Sequence, residues 1–282
     1  MLIGLLAITC AALAIFFVLR SDHALLTHPK GMIARGEMHL ISTNILLMLI
    51  VVIPTFILLL SIAWKYRAKN SKAKYDPEQS HVVFHELILW IIPSIVIAVM
   101  AVITWKQAHK LDPYQPIKAE ASPLLIQVVA LDWKWLFIYP EQGIATVNFV
   151  QFPERTPIQF ALSADGSPMN SFWIPQLSGQ IYAMSGMTTP LHLMADGPGL
   201  YTGRAAEING KGFADMTFVV KSTLQSDFDD WVAEVKQSPL QLTNQIYNQL
   251  AKRSENHPIT LYSNVEKDLY QKIVWKISST EN

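Results

Sequence analysis

The sequence predicts an α+β membrane protein in four parts: an N-terminal apolar segment, a transmembrane helical hairpin, an extracytoplasmic Greek-key β-sandwich and a C-terminal helical arm. Uncharged apolar runs of about twenty residues occur only before Lys106. Short runs rich in β-branched and aromatic residues then recur at roughly ten-residue spacing. After Lys221 the pattern becomes amphipathic and helical.

The four parts have the following predicted bounds. Residues 1–35 form a signal or anchor segment with a lead-in, and residues 36–112 form the hairpin, with helices at about 42–66 and 85–108. Residues 120–222 form the sandwich, and residues 223–282 form the arm. The chain carries 22 basic and 22 acidic residues, so it lacks the strongly basic face that nucleic acid requires, and no nucleic-acid partner is expected.

The N-terminal segment is the least determined element. Leu2 to Leu19 is uncharged, and its length fits a signal anchor or an uncleaved helix. Cys10, the single cysteine, allows a lipid-anchored alternative, but that motif calls for leucine three residues earlier and a small residue just before, where Ala7 and Thr9 stand. The default interpretation of Cys10 is a buried apolar residue. One cysteine forms no internal disulfide, so the redox compartment is left open.

Two further apolar runs predict the hairpin. Ile45 to Trp64 and Leu87 to Trp105 are uncharged, and about 20 residues rising ~1.5 Å each span a bilayer core. A lipid-exposed segment satisfies its own backbone as a helix, and Pro54 and Pro93 are expected to kink these helices. The loop after the first run is predicted to be cytoplasmic because its charges are all basic: Lys65, Arg67, Lys69, Lys72 and Lys74.

Eight short runs predict the sandwich, with seven or eight strands in a Greek-key arrangement. The runs are LLIQVVALDWKWLFIYP, IATVNFVQF, TPIQFALSA, FWIPQL, QIYAMSG, TPLHLMAD, GLYTGRAAE and ADMTFVVKS. Trp133 and Trp135 alternate in the first run, so both indoles are expected on one strand face. A core pair is the default interpretation, and a face for docking or electron transfer is the alternative. His192 lies in an alternating run and is predicted to occupy a strand rather than a catalytic site.

The arm is predicted to hold three helices. SDFDDWVAEVKQSP begins with Ser226, a predicted N-cap, and its first turn carries aspartates that suit the helix dipole. QLTNQIYNQLAKRS and NVEKDLYQKIVWKI have amphipathic patterns and predict two further helices.

The stretch GRAAEINGKGFADM, Gly203 to Met216, has the rhythm of a metal-binding loop but no cysteine or histidine. A mononuclear copper site needs two histidines and a cysteine, with a distant methionine, and the sandwich holds no cysteine. Cu(I) held by Met184, Met187 and Met194 is a softer alternative. Methionines that fill gaps in the core are the favoured interpretation.

The hairpin, followed by a sandwich that begins with D-W-K-W, resembles subunit II of the haem–copper respiratory oxidases, from about Gly36 to Ser222. In the cytochrome c oxidase branch, a cupredoxin-like sandwich holds a dinuclear copper centre in a loop of pattern G-x-C-x-E-x-C-x3-H-x2-M. A further histidine comes from an earlier strand. On that pattern Gly203 keeps the glycine, and the ligand positions hold Asn170, Ala205, Glu207, Asn209, Phe213 and Met216.

Four of these six positions hold residues that cannot supply the ligand atoms, so the resemblance implies that this chain binds no metal. A copper-free subunit II is similar to the quinol oxidase branch of the bo3 type, as are the stretches DWKWLFIYPEQGIATVN and QIYAMSGM and the aromatic-rich tail. That branch implies ubiquinol oxidation coupled to O2 reduction and proton pumping in the bacterial inner membrane, with the C-terminal domain in the periplasm. It implies haem b, haem o, CuB and ubiquinone on subunit I, with subunits I, III and IV and membrane lipids as partners.

Glu86 begins the third apolar run and has two interpretations. A carboxylate at a helix N-terminus suits the helix dipole, and a protonatable group there also suits proton entry. The resemblance favours the second, because a glutamate seven residues before a proline marks the entrance of a K-type proton channel in this superfamily. Glu86 and Pro93 have that spacing.

One function of another class stays open at this point. A stand-alone, membrane-anchored periplasmic module that binds copper through methionines, or acts as a sensor, fits the same hairpin and sandwich. Metal analysis and co-purification with a haem protein distinguish the two functions.

Overall fold

A computed structural model of the chain describes residues 25–73, 83–119, 121–166 and 169–278. Cys10 and the predicted anchor segment lie outside the described residues. The chain divides into two units: Met38–Leu111 forms one, and the segments up to Glu37 and from Asp112 form the other.

Two long helices dominate the first unit. Helix α1 is Met32–Lys65 and helix α2 is Val83–Lys110, so α1 begins about ten residues before its predicted start. Both are long and apolar enough to cross a membrane, and they keep Pro54 and Pro93 inside. Beyond the buried Ile33 and Ala34 at the start of α1, most of their apolar side chains are exposed, which is typical of helices that lipid or partner helices surround. Asn44 donates from Nδ2 to Thr104 Oγ1 at 3.4 Å and joins the two helices.

Ten strands form the sandwich of the second unit. In chain order they are β1 Leu124–Leu131, β2 Lys134–Tyr139, β3 Ile144–Val147, β4 Phe149–Pro153, β5 Ile158–Ala164, β6 Met169–Trp173, β7 Ile181–Met184, β8 Thr189–Leu193, β9 Gly199–Ala205 and β10 Thr217–Thr223. One sheet has the order β3-β2-β1-β5-β8 and the other has β4-β10-β9-β6-β7. The β1–β5 and β4–β10 pairs are parallel, and the other pairs within these two sheets are antiparallel.

Two of the eight predicted runs divide, which accounts for ten strands. The first run turns sharply at Asp132 and Trp133, because Leu131 pairs with Lys134 across a two-residue hairpin. The second run breaks at Asn148, whose φ of 55° lies in the left-handed region. The Asn148 side chain bonds β2 and the arm: its Oδ1 accepts from Trp135 N at 2.9 Å, and its Nδ2 donates to His257 O at 2.8 Å.

The arm contains strands as well as helices. Helices α3 Gln225–Val235, α4 Asn244–Leu250 and α5 Leu269–Ser278 occupy the three predicted segments. The short strands β11 Gln241–Leu242, β12 Thr260–Tyr262 and β13 Asn264–Val265 were not predicted. Strand β12 pairs with β3 and becomes the sixth strand of the first sheet.

The predicted N-cap of α3 is wrong. The capping residue is Leu224, which is extended and makes no side-chain cap bond. Ser226 lies one residue inside the helix, and its hydroxyl bonds the carboxylate of Asp227 at 3.4 Å. A buried Phe228 and Trp231 hold the helix against the core, so tertiary packing sets its start.

The sandwich has two hydrophobic cores. Aromatic rings fill the space between the sheets, and Phe172 and Phe218 stack with centroids 5.0 Å apart. A second core lies on the outer face of the first sheet, where the arm packs against Leu136 and Ile138 with residues such as Tyr247 and Ile273. The first sheet is therefore buried on both faces.

The segment before α1 and the first turn of α1 join the sandwich through their backbone. Gly31 forms a β-bridge with Ala195, and Ala34 N donates to Leu177 O at 3.2 Å. A Cβ built on Gly31 would lie 2.8 Å from Leu177 O, so only glycine allows this approach. Residues 28–37 are called the clasp below.

Candidate functional site

The loop singled out in the sequence connects β9 to β10. Residues 206–216 leave the sheet after Ala205, make a short 3-10 turn at Phe213–Asp215 and return at Met216. Ala205 N donates to Met216 O and Ala206 N to Ser171 O, each at 3.0 Å. These backbone bonds close the loop at its base, and the loop lies at the end of β9 opposite the clasp.

The structure brings together most of the predicted ligand positions. Asn209 Nδ2 donates to Asn170 Oδ1 at 2.5 Å and to Met216 Sδ at 3.0 Å. Asn170, Ala205 and Met216 are buried. The amides of two neighbouring segments therefore meet the thioether where the resemblance expects copper ligands.

The remaining two positions point to other partners. Phe213, at the histidine position, packs against the core between the sheets. Glu207 is exposed and accepts a hydrogen bond from Tyr182 Oη of β7 at 3.0 Å. That bond to a carboxylate raises the pKa of Tyr182 above its ordinary value.

This set of side chains does not fit the dinuclear copper centre. Such a centre needs thiolates and imidazoles, whereas these positions offer amides, a phenyl ring, a methyl group, a carboxylate and one thioether. The amide contact also occupies the space between the two segments. In the described residues, no group of three or more His, Cys, Asp or Glu side chains is placed to hold a metal ion.

Trp133 and Trp135 have different environments. Trp135 is 0% exposed and packs edge-on against Phe172 with centroids 5.1 Å apart. Trp133 lies in the β1–β2 turn with a φ of 61°, half-buried against the loop. The left-handed turn interrupts the strand, so the two indoles do not share a strand face. Of the two, only Trp133 is accessible enough to contribute to a docking face.

The methionines of the Cu(I) alternative lie on several elements. Met184 is in β7 and pairs with Met169 of β6, Met187 follows β7 and is half-exposed, and Met194 follows β8. Glu86 lies in the first turn of α2 and is exposed. His192 is in β8, as predicted, with Nδ1 3.0 Å from Pro113 O.

Lys134 is a residue that sequence reasoning missed. It is 0% exposed, and its ammonium donates to Lys252 O at 2.7 Å and to Ser254 Oγ at 2.6 Å in the arm. Burial lowers the pKa of Lys134, and nearby Asp132 opposes that shift. A lysine on the same strand face as Leu136 and Ile138 was the available signal.

Comparison with known proteins assigns most of the chain to a family. The family model "Cytochrome C oxidase subunit II, periplasmic domain" matches residues 141–223, and "COX Aromatic Rich Motif" matches residues 236–279. Cytochrome bo(3) ubiquinol oxidase subunit 2 of Pseudomonas aeruginosa is 49% identical over 251 residues, 89% of this chain and 76% of the relative. The Pseudomonas putida protein of the same name is 51% identical over 89% of this chain and 80% of its own length. The chain belongs to the ubiquinol oxidase subunit 2 family.

Membership confirms the predicted family and the predicted architecture. Ubiquinol oxidase subunit 2 of Acetobacter aceti, another member, is 49% identical over 253 residues. The periplasmic-domain match covers most of the cupredoxin-like sandwich, and the aromatic-rich match covers most of the predicted arm. Two apolar helices and a periplasmic-type domain fit an inner-membrane protein of the subunit 2 family.

Proposed function

We propose that this chain is the copper-free subunit 2 of a proton-pumping, cytochrome bo3-type ubiquinol oxidase. Its complex oxidises ubiquinol and reduces O2 to water, and this subunit takes no part in electron transfer. The observation that carries the proposal is the Asn170–Asn209–Met216 contact, which fills the metal loop of the family with hydrogen-bonded side chains.

The chemistry of the electron donor explains why such a loop is sufficient. A soluble donor on the periplasmic side needs a metal relay on the domain it docks against. Ubiquinol dissolves in the bilayer and reaches a site inside the membrane, so electrons bypass the sandwich. The loop then needs a stable fold but no metal, and the amide and thioether contacts provide that stability.

The proposed main partner is subunit I, with subunits III and IV completing the complex. Subunit I would carry haem b, haem o, CuB and ubiquinone. The exposed apolar surfaces of α1 and α2 support membrane partners, because side chains such as Leu60 and Ile97 are more than half exposed in this chain alone. Lipid would cover what the partner helices leave free.

The proposed topology has the hairpin loop in the cytoplasm and the sandwich in the periplasm. The basic residues that follow α1 support it, because positive loops are retained on the cytoplasmic side. Reporter fusions after Arg67 and after Asp112 test it: the first is expected to report a cytoplasmic location and the second a periplasmic one.

Glu86 is the proposed proton-entry group of this subunit. It lies in the first turn of α2, seven residues before Pro93, at the end of the helix nearest the basic loop. The variant Glu86→Ala is expected to lower oxidase turnover several-fold while haem content and subunit stoichiometry stay unchanged. Glu141→Ala, an exposed glutamate of the sandwich, is the control and is expected to keep full turnover. Unchanged turnover in Glu86→Ala would remove the role.

One purification tests the main proposal. The intact complex, extracted in mild detergent, is expected to contain this chain together with a haem protein and no more copper than CuB accounts for. Ubiquinol should drive O2 uptake, and reduced cytochrome c should not. A dinuclear copper signal, or activity with cytochrome c alone, would contradict the proposal. Purification of the chain without haem but with stoichiometric copper would favour the stand-alone copper module.

A further inference from the structure

Trp133 has a backbone conformation that a tryptophan rarely adopts. Its φ of 61° is in the left-handed region, and it occupies a two-residue hairpin between Leu131 and Lys134. Glycine or asparagine is the ordinary choice at such a position, because a side chain there is sterically strained. Strain of this kind persists only where surrounding contacts hold it.

The surrounding contacts come from the loop of residues 206–216, called the relic loop below because it has the position of the copper-binding loop in the cytochrome c oxidase branch. The Trp133 indole lies along the loop backbone, with Cβ, Cγ and Cδ2 facing Gly212 and with Nε1, Cε2 and Cζ2 facing Gly210. A Cβ built on Gly212 would lie 2.5 Å from both Cγ and Cδ2 of Trp133. One built on Gly210 would lie 3.3 Å from Cζ2. The two glycines therefore form a flat platform that fits the ring.

We propose that Trp133 is the residue that orders the 206–216 loop in this chain. It acts together with the amide and thioether contact that occupies the predicted ligand positions. The indole covers the loop on one side, while Asn209 holds it to Asn170 and Met216 on the other. A loop clamped between these two contacts keeps its shape without a metal.

The turn that carries Trp133 is itself fixed from behind by the arm. Arg253 Nε donates to Asp132 Oδ2 at 2.8 Å, and the buried Lys134 bonds Lys252 O and Ser254 Oγ. The two residues flanking Trp133 are thus tied to the arm. These hydrogen bonds stabilise the left-handed turn, which holds the indole beside the loop.

Substitutions at the two glycines under the indole distinguish the effect of ring contact from the effect of backbone strain. Gly212 has φ −86° and ψ 10°, a conformation that residues with side chains adopt in turns, and the three atoms nearest to a Cβ built there all belong to Trp133. Gly210 has φ 119°, so a side chain is strained there whether or not the indole is present. Gly212→Ala should therefore disrupt the loop only when Trp133 is present, whereas Gly210→Ala should disrupt it in either background.

Hydrogen exchange of the full-length chain in its detergent-solubilised complex provides the test. In Trp133→Ala we expect the amides of residues 206–216 to exchange at least about tenfold faster, with the clasp unchanged. Gly212→Ala should give a similar increase alone and no further increase in the Trp133→Ala background, and Gly210→Ala should add its own increase there. Trp133→Phe should restore most of the protection.

Two results would overturn the proposal. The first is unchanged protection of the loop amides from hydrogen exchange in both Trp133→Ala and Trp133→Gly. The glycine variant also relieves the backbone strain. The second is a Gly212→Ala effect of equal size with and without the indole. If Trp133→Ala does not fold, Trp133→Gly, which also removes the ring, is combined with Gly212→Ala and gives the same decision. None of these readouts depends on electron transfer, so the loop is tested independently of the proposed oxidase function.

Discussion

The outer faces of the two sheets in this sandwich differ completely. In β2 of the first sheet every residue is buried, whereas β9 of the second sheet alternates between buried and exposed residues, with Leu200 70% exposed. The arm explains the difference, because its side chains form a second core with the first sheet. Strict alternation therefore indicates an uncovered face, and continuous burial indicates a further layer.

Removing equivalent leucines from the two faces is expected to give the largest contrast. Leu136→Ala, on the covered face of β2, should lower the free energy of unfolding by about 2–5 kcal/mol, because it opens a cavity in the second core. Leu200→Ala should change it by less than about 0.5 kcal/mol. Denaturant unfolding of the purified chain measures both, and similar losses in the two variants would contradict the assignment of the faces.

Alkaline pH is expected to weaken the covered face. Burial raises the pKa of Tyr270 to about 12, while its hydroxyl donates to Ala161 O. A pKa raised by folding gives stability that is complete below the ordinary value near 10 and is lost as pH rises towards 12, here at most about 2–3 kcal/mol. Tyr270→Phe should show a shallower loss between pH 10 and 12. Parallel curves of unfolding free energy against pH for the variant and the unmodified chain would argue against the raised pKa of Tyr270.

The two lysines that bind the arm are expected to give the smallest contrast. Lys134→Met leaves Lys252 O and Ser254 Oγ without their donor and should lower stability by about 1–3 kcal/mol. Lys211→Met removes an ion pair to Glu255 from a side chain that is 82% exposed, and the expected loss is below about 1 kcal/mol. Thermal unfolding of the two variants measures both losses, and equal losses would show that burial of the lysine does not determine its contribution to stability.

Much of the fold follows from local pattern. Apolar length gave both helices of the hairpin, and turn residues separated the strands of the sandwich. The pattern failed where one residue changed the backbone direction: Trp133 and Asn148 each divide a continuous run by adopting a left-handed conformation. No periodicity reports such a turn, because both residues lie within β-favourable surroundings.

Contacts distant in sequence were also beyond prediction. Strand β12 exists because Leu261 and its neighbours find the edge of β3, more than a hundred residues earlier. The covering of the first sheet and the burial of Lys134 have the same origin. Sequence reasoning did place Asn170, Asn209 and Met216 in one site, but through the ligand register of the family rather than through their own chemistry.

The composition of the relic loop also bears on how the domain matures. Paired thiols exported to an oxidising compartment can join as a disulfide, and they need a reductant before they can receive a metal. With Ala205 and Asn209 in those positions, the loop has no such side reaction. The copper-free role proposed above therefore needs neither thiol reduction nor copper delivery at this loop before the domain is mature.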